Sequence, residues 1–192
     1  MVEKYCIGGL FFLFVVVRMR WPRGKDERIQ VKPFREWLTS TLFTLSLLFS
    51  YVDFLWTGTI DAFIFDLPVW VQVLGGMISL MGVVLLEWVH QALGHHFSPH
   101  LELREDHRIV HEGPYAFVRH PMYTSGLCFL IGNGLLSSNV ILLLVPTCSF
   151  IVLLVLRVHD EEKMLRHRFG VEWERYTQKT GFLVPKFSRK HE

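Results

Sequence analysis

A chain of 192 residues that is 51% hydrophobic, with 16 Phe and 6 Trp and a positive mean hydropathy, is too apolar to have water as its only solvent. Its 20 Lys and Arg nearly balance 18 Asp and Glu, a net charge of +2 that hides an uneven placement better read as membrane topology than as nucleic-acid binding, and from three Cys without Cys-x-x-Cys spacing no disulfide framework or zinc knuckle follows. The class this leaves is an all-α integral membrane protein with about five transmembrane helices.

The first predicted helix is the uncharged run Tyr5 to Val17, short for a span but flanked by Arg18 and Arg20, which can snorkel, and by Trp21 at the interface. Its basic cluster follows the apolar run and no small-residue cleavage site is present, so it reads as a retained helix, not a signal peptide. Residues 22 to 36 mix both charge signs and read as a loop. Trp37 to Val52 and Leu67 to Leu86 are the second and third spans. The third carries Gly75, Gly76 and Gly82, which permit close helix approach in lipid and form no dinucleotide-binding fingerprint, and Glu87 stands at its end.

From Gly94 to Tyr123 the chain turns polar, with turn signals at Ser98-Pro99, Asp106-His107 and Gly113-Pro114, and reads as an ordered connector with short alternating pieces such as Leu101 to Arg104. Pro121 to Leu156 then runs 36 residues without a charge. At ~1.5 Å per residue a straight helix of that length would be roughly 54 Å long, against a hydrocarbon core of ~30 Å. The run must fold back, and Ser137-Ser138-Asn139 is the polar cluster near its middle. Folding there returns Arg157 and Glu161 to the side where Arg119 and His120 began. Beyond Arg157, apolar residues Met164, Leu165, Phe169, Trp173 and Tyr176 recur at helical spacing across a break near Gly170, and Thr180-Gly181 ends regular structure. Cys6, Cys128 and Cys148 read as small packing residues.

Charge placement supports five spans. With the N-terminus outside, Lys4 is the single outer basic residue, and the other 19 of the 20 Lys and Arg fall in segments 18–36, 89–121 and 157–192, which share one face. The opposite connections carry Asp53, Asp61 and Asp66, or no charge at all at the hairpin tip. The expected arrangement is a multi-pass protein with a cytoplasmic basic face that contacts lipid headgroups.

Ten His raise a metal hypothesis, because His90, His95, His96, His100, His107 and His111 approach the spacing of membrane di-iron enzymes. Nearly all of them lie in one connector, with no second His-His pair in a distant segment, so the expectation is no metal. Arg119, Arg157, Glu161 and Glu162 are more informative: charges within a turn of a membrane boundary are costly unless paired or functional. Pro121 fixes the start of a helix and aims Arg119 and His120 at the mouth of the bundle. Arg157 and Glu161, spaced i and i+4, share a face and can present a cation and an anion to one ligand.

The run His107 to Tyr123, with Gly113-Pro114-Tyr115 and Arg119-His120-Pro121-Met122-Tyr123, then Arg157-x3-Glu161-Glu162 and Phe169-Gly-x-Glu-Trp-x-x-Tyr176, resembles the isoprenylcysteine carboxyl methyltransferase family, in particular its compact prokaryotic members. The resemblance covers roughly residues 94 to 187, with residues 1–93 as three further spans of a single 1–192 domain. It implies S-adenosylmethionine-dependent methylation of a small lipophilic or prenylated acceptor, most naturally an isoprenylcysteine-like carboxylate. It implies a cofactor pocket from His107, Arg108, Ile109, Val110, Tyr115, His120, Pro121, Met122, Tyr123 and Glu161, with His100 as a weaker member, and it sets Arg157 against the substrate carboxylate. Arg119 joins Arg157 as a candidate catalytic cation, either paired with Glu161 or Glu162 or touching a ligand. The alternatives are a membrane reductase resembling the C-terminal part of sterol reductases, which shares an Arg-His-x-x-Tyr element and would bind NADPH, and a non-catalytic membrane module.

Overall fold

The computed structural model describes residues 2–21, 34–94 and 109–186. Six α-helices account for most of them: α1 Val2–Arg20, α2 Phe34–Val52, α3 Val69–Leu93, α4 Pro121–Ser137, α5 Val140–Phe169 and α6 Val171–Lys179. Outside the helices, two isolated bridges pair Ile64 with Asn139 and Val118 with Gly181. By length and composition, Trp37–Thr57, Val69–Leu93 and Val140–Phe169 are long and apolar enough to cross a membrane. Among the other expected spans, α4 has 17 residues and α1 carries Glu3, Arg18 and Arg20 near its ends, so both are weaker by the same physical measure.

The hairpin forms where the length argument puts it. Ser138 adopts φ 51°, a left-handed conformation that reverses the chain, and Asn139 caps α5 by accepting from Ile141 N at 3.0 Å and Leu142 N at 3.1 Å. The Asn139 side chain also donates to Ile60 O at 2.7 Å, tying the tip to the 53–66 connection. Lys4 lies 3.1 Å from Asp61, so the start of α1, residues 53–66 and the hairpin tip gather at one end. The arms of the hairpin thus return to the opposite end together.

Small residues set the spacing of α3 against α4. A Cβ at Gly132 would lie 2.6 Å from Gly75 O, and one at Gly82 would lie 2.8 Å from Ser125 O, so the backbones touch. Asn133 Nδ2 donates to Ser79 Oγ at 2.9 Å inside this seam. Next to it, Phe14 stacks on Phe129 with ring centroids 4.1 Å apart and Phe11 on Tyr51 at 4.3 Å, and Ile7, Phe54, Val83 and Leu142 complete the core.

Several expectations change. The third helix runs on to Leu93, which places His90 on a buried helical turn with Nδ1 2.7 Å from Leu86 O and its ring facing Trp21, so this His serves packing. Glu87 accepts from Trp21 Nε1 at 3.2 Å, joining the ends of α1 and α3. Asp53, expected as an outer surface charge, is buried. Its carboxylate accepts from Thr57, Thr59 and Ile60 N in a π-helical turn that the sequence pattern did not reveal. Cys6 and Cys148 face outward, and only Cys128 is partly packed. Of the expected loop 22–36, residues 22–33 lie outside the described residues, as does the alternating piece 101–104, and 34–36 instead form the first turn of α2.

Candidate functional site

The polar end of the bundle is built around the start of α4. Gly113 at φ +58° opens a 3-10 turn, Gly113–Ala116, and sits against Trp88 and Ala92 of α3. The backbone of 117–120 then pairs with the segment after α6: Gly181 N donates to Phe117 O at 3.0 Å, Arg119 N to Gly181 O at 2.8 Å, and His120 N to Phe182 O at 3.2 Å. Thr124 Oγ1 adds a bond to Leu183 O at 2.7 Å. Pro121, fully buried at the first helical position, needs no N–H partner and ends this strip.

Arg119 and His120 turn toward α5, where two adjacent carboxylates point to different neighbours. Glu162 Oε1 accepts from Arg119 Nε at 3.1 Å and lies 3.2 Å from His120 Nε2. Arg119 Nη1 donates to Thr177 O and Thr180 O, both at 3.1 Å, and the guanidinium lies 5.7 Å from the centre of the Phe182 ring. Arg119 is thereby a clamp between α5 and the end of α6. Glu161, one residue earlier, accepts from Tyr123 Oη at 3.1 Å. Arg157 stands one turn before Glu161 on the same face of α5 and is half-buried.

Tyr115 belongs with the Glu161 side. Tyr115 is half-buried, and burial, the Glu161 charge and Tyr176 push the ionisation of its phenol well above the ordinary range. Tyr176 Oη donates to Tyr115 O at 2.8 Å, and burial pushes the Tyr176 phenol up to about 12. Neither phenol is ionised at neutral pH, so both act as neutral hydrogen-bonding groups.

Of the residues expected to form the site, Tyr115, Arg119, His120, Tyr123 and Glu161 are brought into one connected region, with Glu162 at its centre. Ile109, Val110 and Met122 are half-buried beside them in the chain. His100, His107 and Arg108 lie outside the described residues, as do His95 and His96. Among the described residues, no three His, Cys, Asp or Glu side chains converge as a metal site requires. Sequence reading missed the part played by 177–183. Thr180-Gly181 signals a helix end, and nothing in the pattern shows that its backbone pairs with 117–120; the one local hint is Gly181, where a Cβ would collide with Val184 O.

The family resemblance read from the motifs holds on comparison with known proteins. The model of the isoprenylcysteine carboxyl methyltransferase family matches residues 74–167, beginning inside α3 and ending inside α5, earlier at both limits than the motif span 94–187. The protein-S-isoprenylcysteine O-methyltransferase of Xenopus laevis is 32% identical over 149 residues, 74% of this chain and 50% of the relative. That of Saccharomyces cerevisiae is 31% identical over 121 residues, 59% of this chain and 48% of the relative. The chain thus spans about half the length of these curated relatives. The solved structure of a eukaryotic intramembrane Ras methyltransferase matches with a TM-score of 0.60 at 19% identity, over 95% of this chain and 67% of that one, a likeness of fold.

Proposed function

We propose that this chain, related over residues 74–167 to the isoprenylcysteine carboxyl methyltransferase family, transfers a methyl group from S-adenosylmethionine to the carboxylate of a small lipophilic, isoprenylcysteine-like acceptor at a membrane surface. The observation that carries the reading is the Glu161 carboxylate, hydrogen-bonded by Tyr123 and one helical turn from Arg157, with the neutral Tyr115 phenol near enough to feel its charge. A cofactor bearing an ammonium, a sulfonium and several hydroxyls fits that set of one anion and neutral phenols, and a carboxylate acceptor fits Arg157. When bound, S-adenosylmethionine supplies an electrophilic methyl group on its sulfonium.

The protein's own contribution is positioning. A carboxylate is already ionised at neutral pH, so no general base is needed, in keeping with two tyrosines that stay protonated. Arg157 would orient the acceptor carboxylate, and Glu161 with Tyr123 would hold the donor, each contact gaining strength where the bound ligands exclude water. Five spans, with the N-terminus outside and the site on the cytoplasmic face, agree with Lys4, Asp61 and the hairpin tip sharing one end and the basic ends of α1, α5 and α6 lying at the other.

Binding in detergent tests this reading. S-adenosylhomocysteine is expected to stabilise the protein against heat, and stabilisation by NADPH alone would move the reading to the reductase class. Arg157→Ala is expected to weaken use of the acceptor with S-adenosylhomocysteine affinity nearly intact, and Glu161→Ala to weaken that affinity first. Equal loss of both in Arg157→Ala would show that Arg157 does not face the acceptor.

A further inference from the structure

Glu162 lines neither ligand in the proposed reaction, yet it is the acceptor on which the start of α4 converges. One oxygen, Oε1, serves both Arg119 Nε at 3.1 Å and His120 Nε2 at 3.2 Å. The side chains are 16%, 3% and 27% exposed for Arg119, His120 and Glu162, so the cluster is largely shielded from water. The Arg119 contacts to Thr177 O and Thr180 O keep it a fixed counter-charge, and Glu162 stays an ionised acceptor beside it. An ionised acceptor at Nε2 selects the imidazole form with its proton on that nitrogen. In the neutral ring Nδ1, on the other side, then carries the lone pair. It has no hydrogen-bond partner among the described residues and is not sealed from solvent, while Phe182 at 5.1 Å and Tyr123 at 5.9 Å hold the ring.

We propose that Glu162 is a positioning residue: it fixes His120 with the proton on Nε2 so that Nδ1 accepts a hydrogen bond from an N–H or O–H of the bound methyl donor. The proposal rests on the methyltransferase reading for the identity of the ligand. Its geometric half, the fixed imidazole form, stands without it. The two adjacent carboxylates therefore have separate tasks, Glu161 toward the cofactor and Glu162 toward the histidine that meets it.

The test uses the full chain in detergent with 15N-labelled histidine, the His120 signals being identified by their loss in His120→Gln. Wild-type protein is expected to show His120 protonated at Nε2 and unprotonated at Nδ1. In Glu162→Ala the two neutral forms are expected to mix, and S-adenosylhomocysteine affinity, measured by titration calorimetry, to fall about ten-fold, the size of one lost charge-assisted hydrogen bond. Glu162→Gln, which keeps the shape and one acceptor oxygen, is expected to retain most of the affinity, and it replaces the alanine variant if that fails to fold. A wild-type His120 protonated at Nδ1, or a Glu162→Ala protein with both the imidazole form and the affinity unchanged, overturns the proposal. If wild-type protein does not bind S-adenosylhomocysteine, the methyltransferase reading fails, and the nitrogen spectrum alone still decides whether Glu162 fixes the ring.

Discussion

Removing Arg119 tests whether the end of the bundle is held together as described. Arg119→Ala deletes one hydrogen bond to a carboxylate and two to the carbonyl oxygens of Thr177 and Thr180. Each bond to a charged group is worth about 1.5 to 3 kcal/mol net, and their losses do not add, because Glu162 keeps His120 and part of its exposure to water. The expected destabilisation is about 3 kcal/mol, the lower end for breaking a buried pair. Arg119→Lys keeps the charge and loses the planar fork that reaches Glu162 and both carbonyls at once, so roughly half that loss is expected. Equilibrium unfolding in detergent, run as a cycle with Glu162→Ala, gives the pairwise part, expected at about 1 to 2 kcal/mol. The same variant should loosen residues 181–182 from 117–120 and speed tryptic cleavage after Lys179 at the end of α6. A change in stability within about 0.5 kcal/mol, together with unchanged cleavage at Lys179, would refute the clamp.

Asn139→Ala removes the α5 cap and strands Ile60 O in the buried tip, and a loss of about 2 to 4 kcal/mol is expected in the same unfolding assay; an unchanged midpoint would mean the tip does not need it. Gly132→Ala drives a methyl group into the α3 backbone and should cost about 2 kcal/mol or more, whereas Gly9→Ala meets no atom within 4 Å and should be neutral or slightly stabilising; equal behaviour of the two would contradict the backbone contact. Tyr123→Phe frees the Glu161 carboxylate from its donor, and titration should show S-adenosylhomocysteine binding weakened about three- to ten-fold, with unaltered affinity counting against Glu161 as a cofactor group.

The hairpin was legible because its evidence is local and one-dimensional: a charge-free run too long for one span must bend at its polar middle, and Ser138 and Asn139 provide the bend. The family motif was legible for a similar reason, since the spacing of Arg119-His120-Pro121, Arg157 and Glu161 is itself the signal. Gly75 and Gly82 were correctly read as packing residues because small side chains in an apolar helix have few other uses. Helix limits were less legible. α3 outruns its apolar segment by two turns, and within that extension the Glu87 carboxylate accepts hydrogen bonds from Trp21 and Gln91.

By itself, the sequence determined that the chain folds in lipid-like surroundings as apolar helices, that its long run closes on itself, and that charged groups just before α4 meet those of α5 at one end. Only the tertiary structure decided which charge meets which. Adjacent carboxylates in a helix point about 100° apart, so whether Glu161 or Glu162 takes Arg119 depends on how α5 is rotated against α4 and α6, a quantity with no counterpart in spacing. The same holds for Asp53, whose burial depends on Thr57, Thr59 and a π-helical turn closing around it, and for residues 181–182. Their pairing with 117–120 joins segments some 60 residues apart through backbone atoms, which carry no side-chain pattern to read.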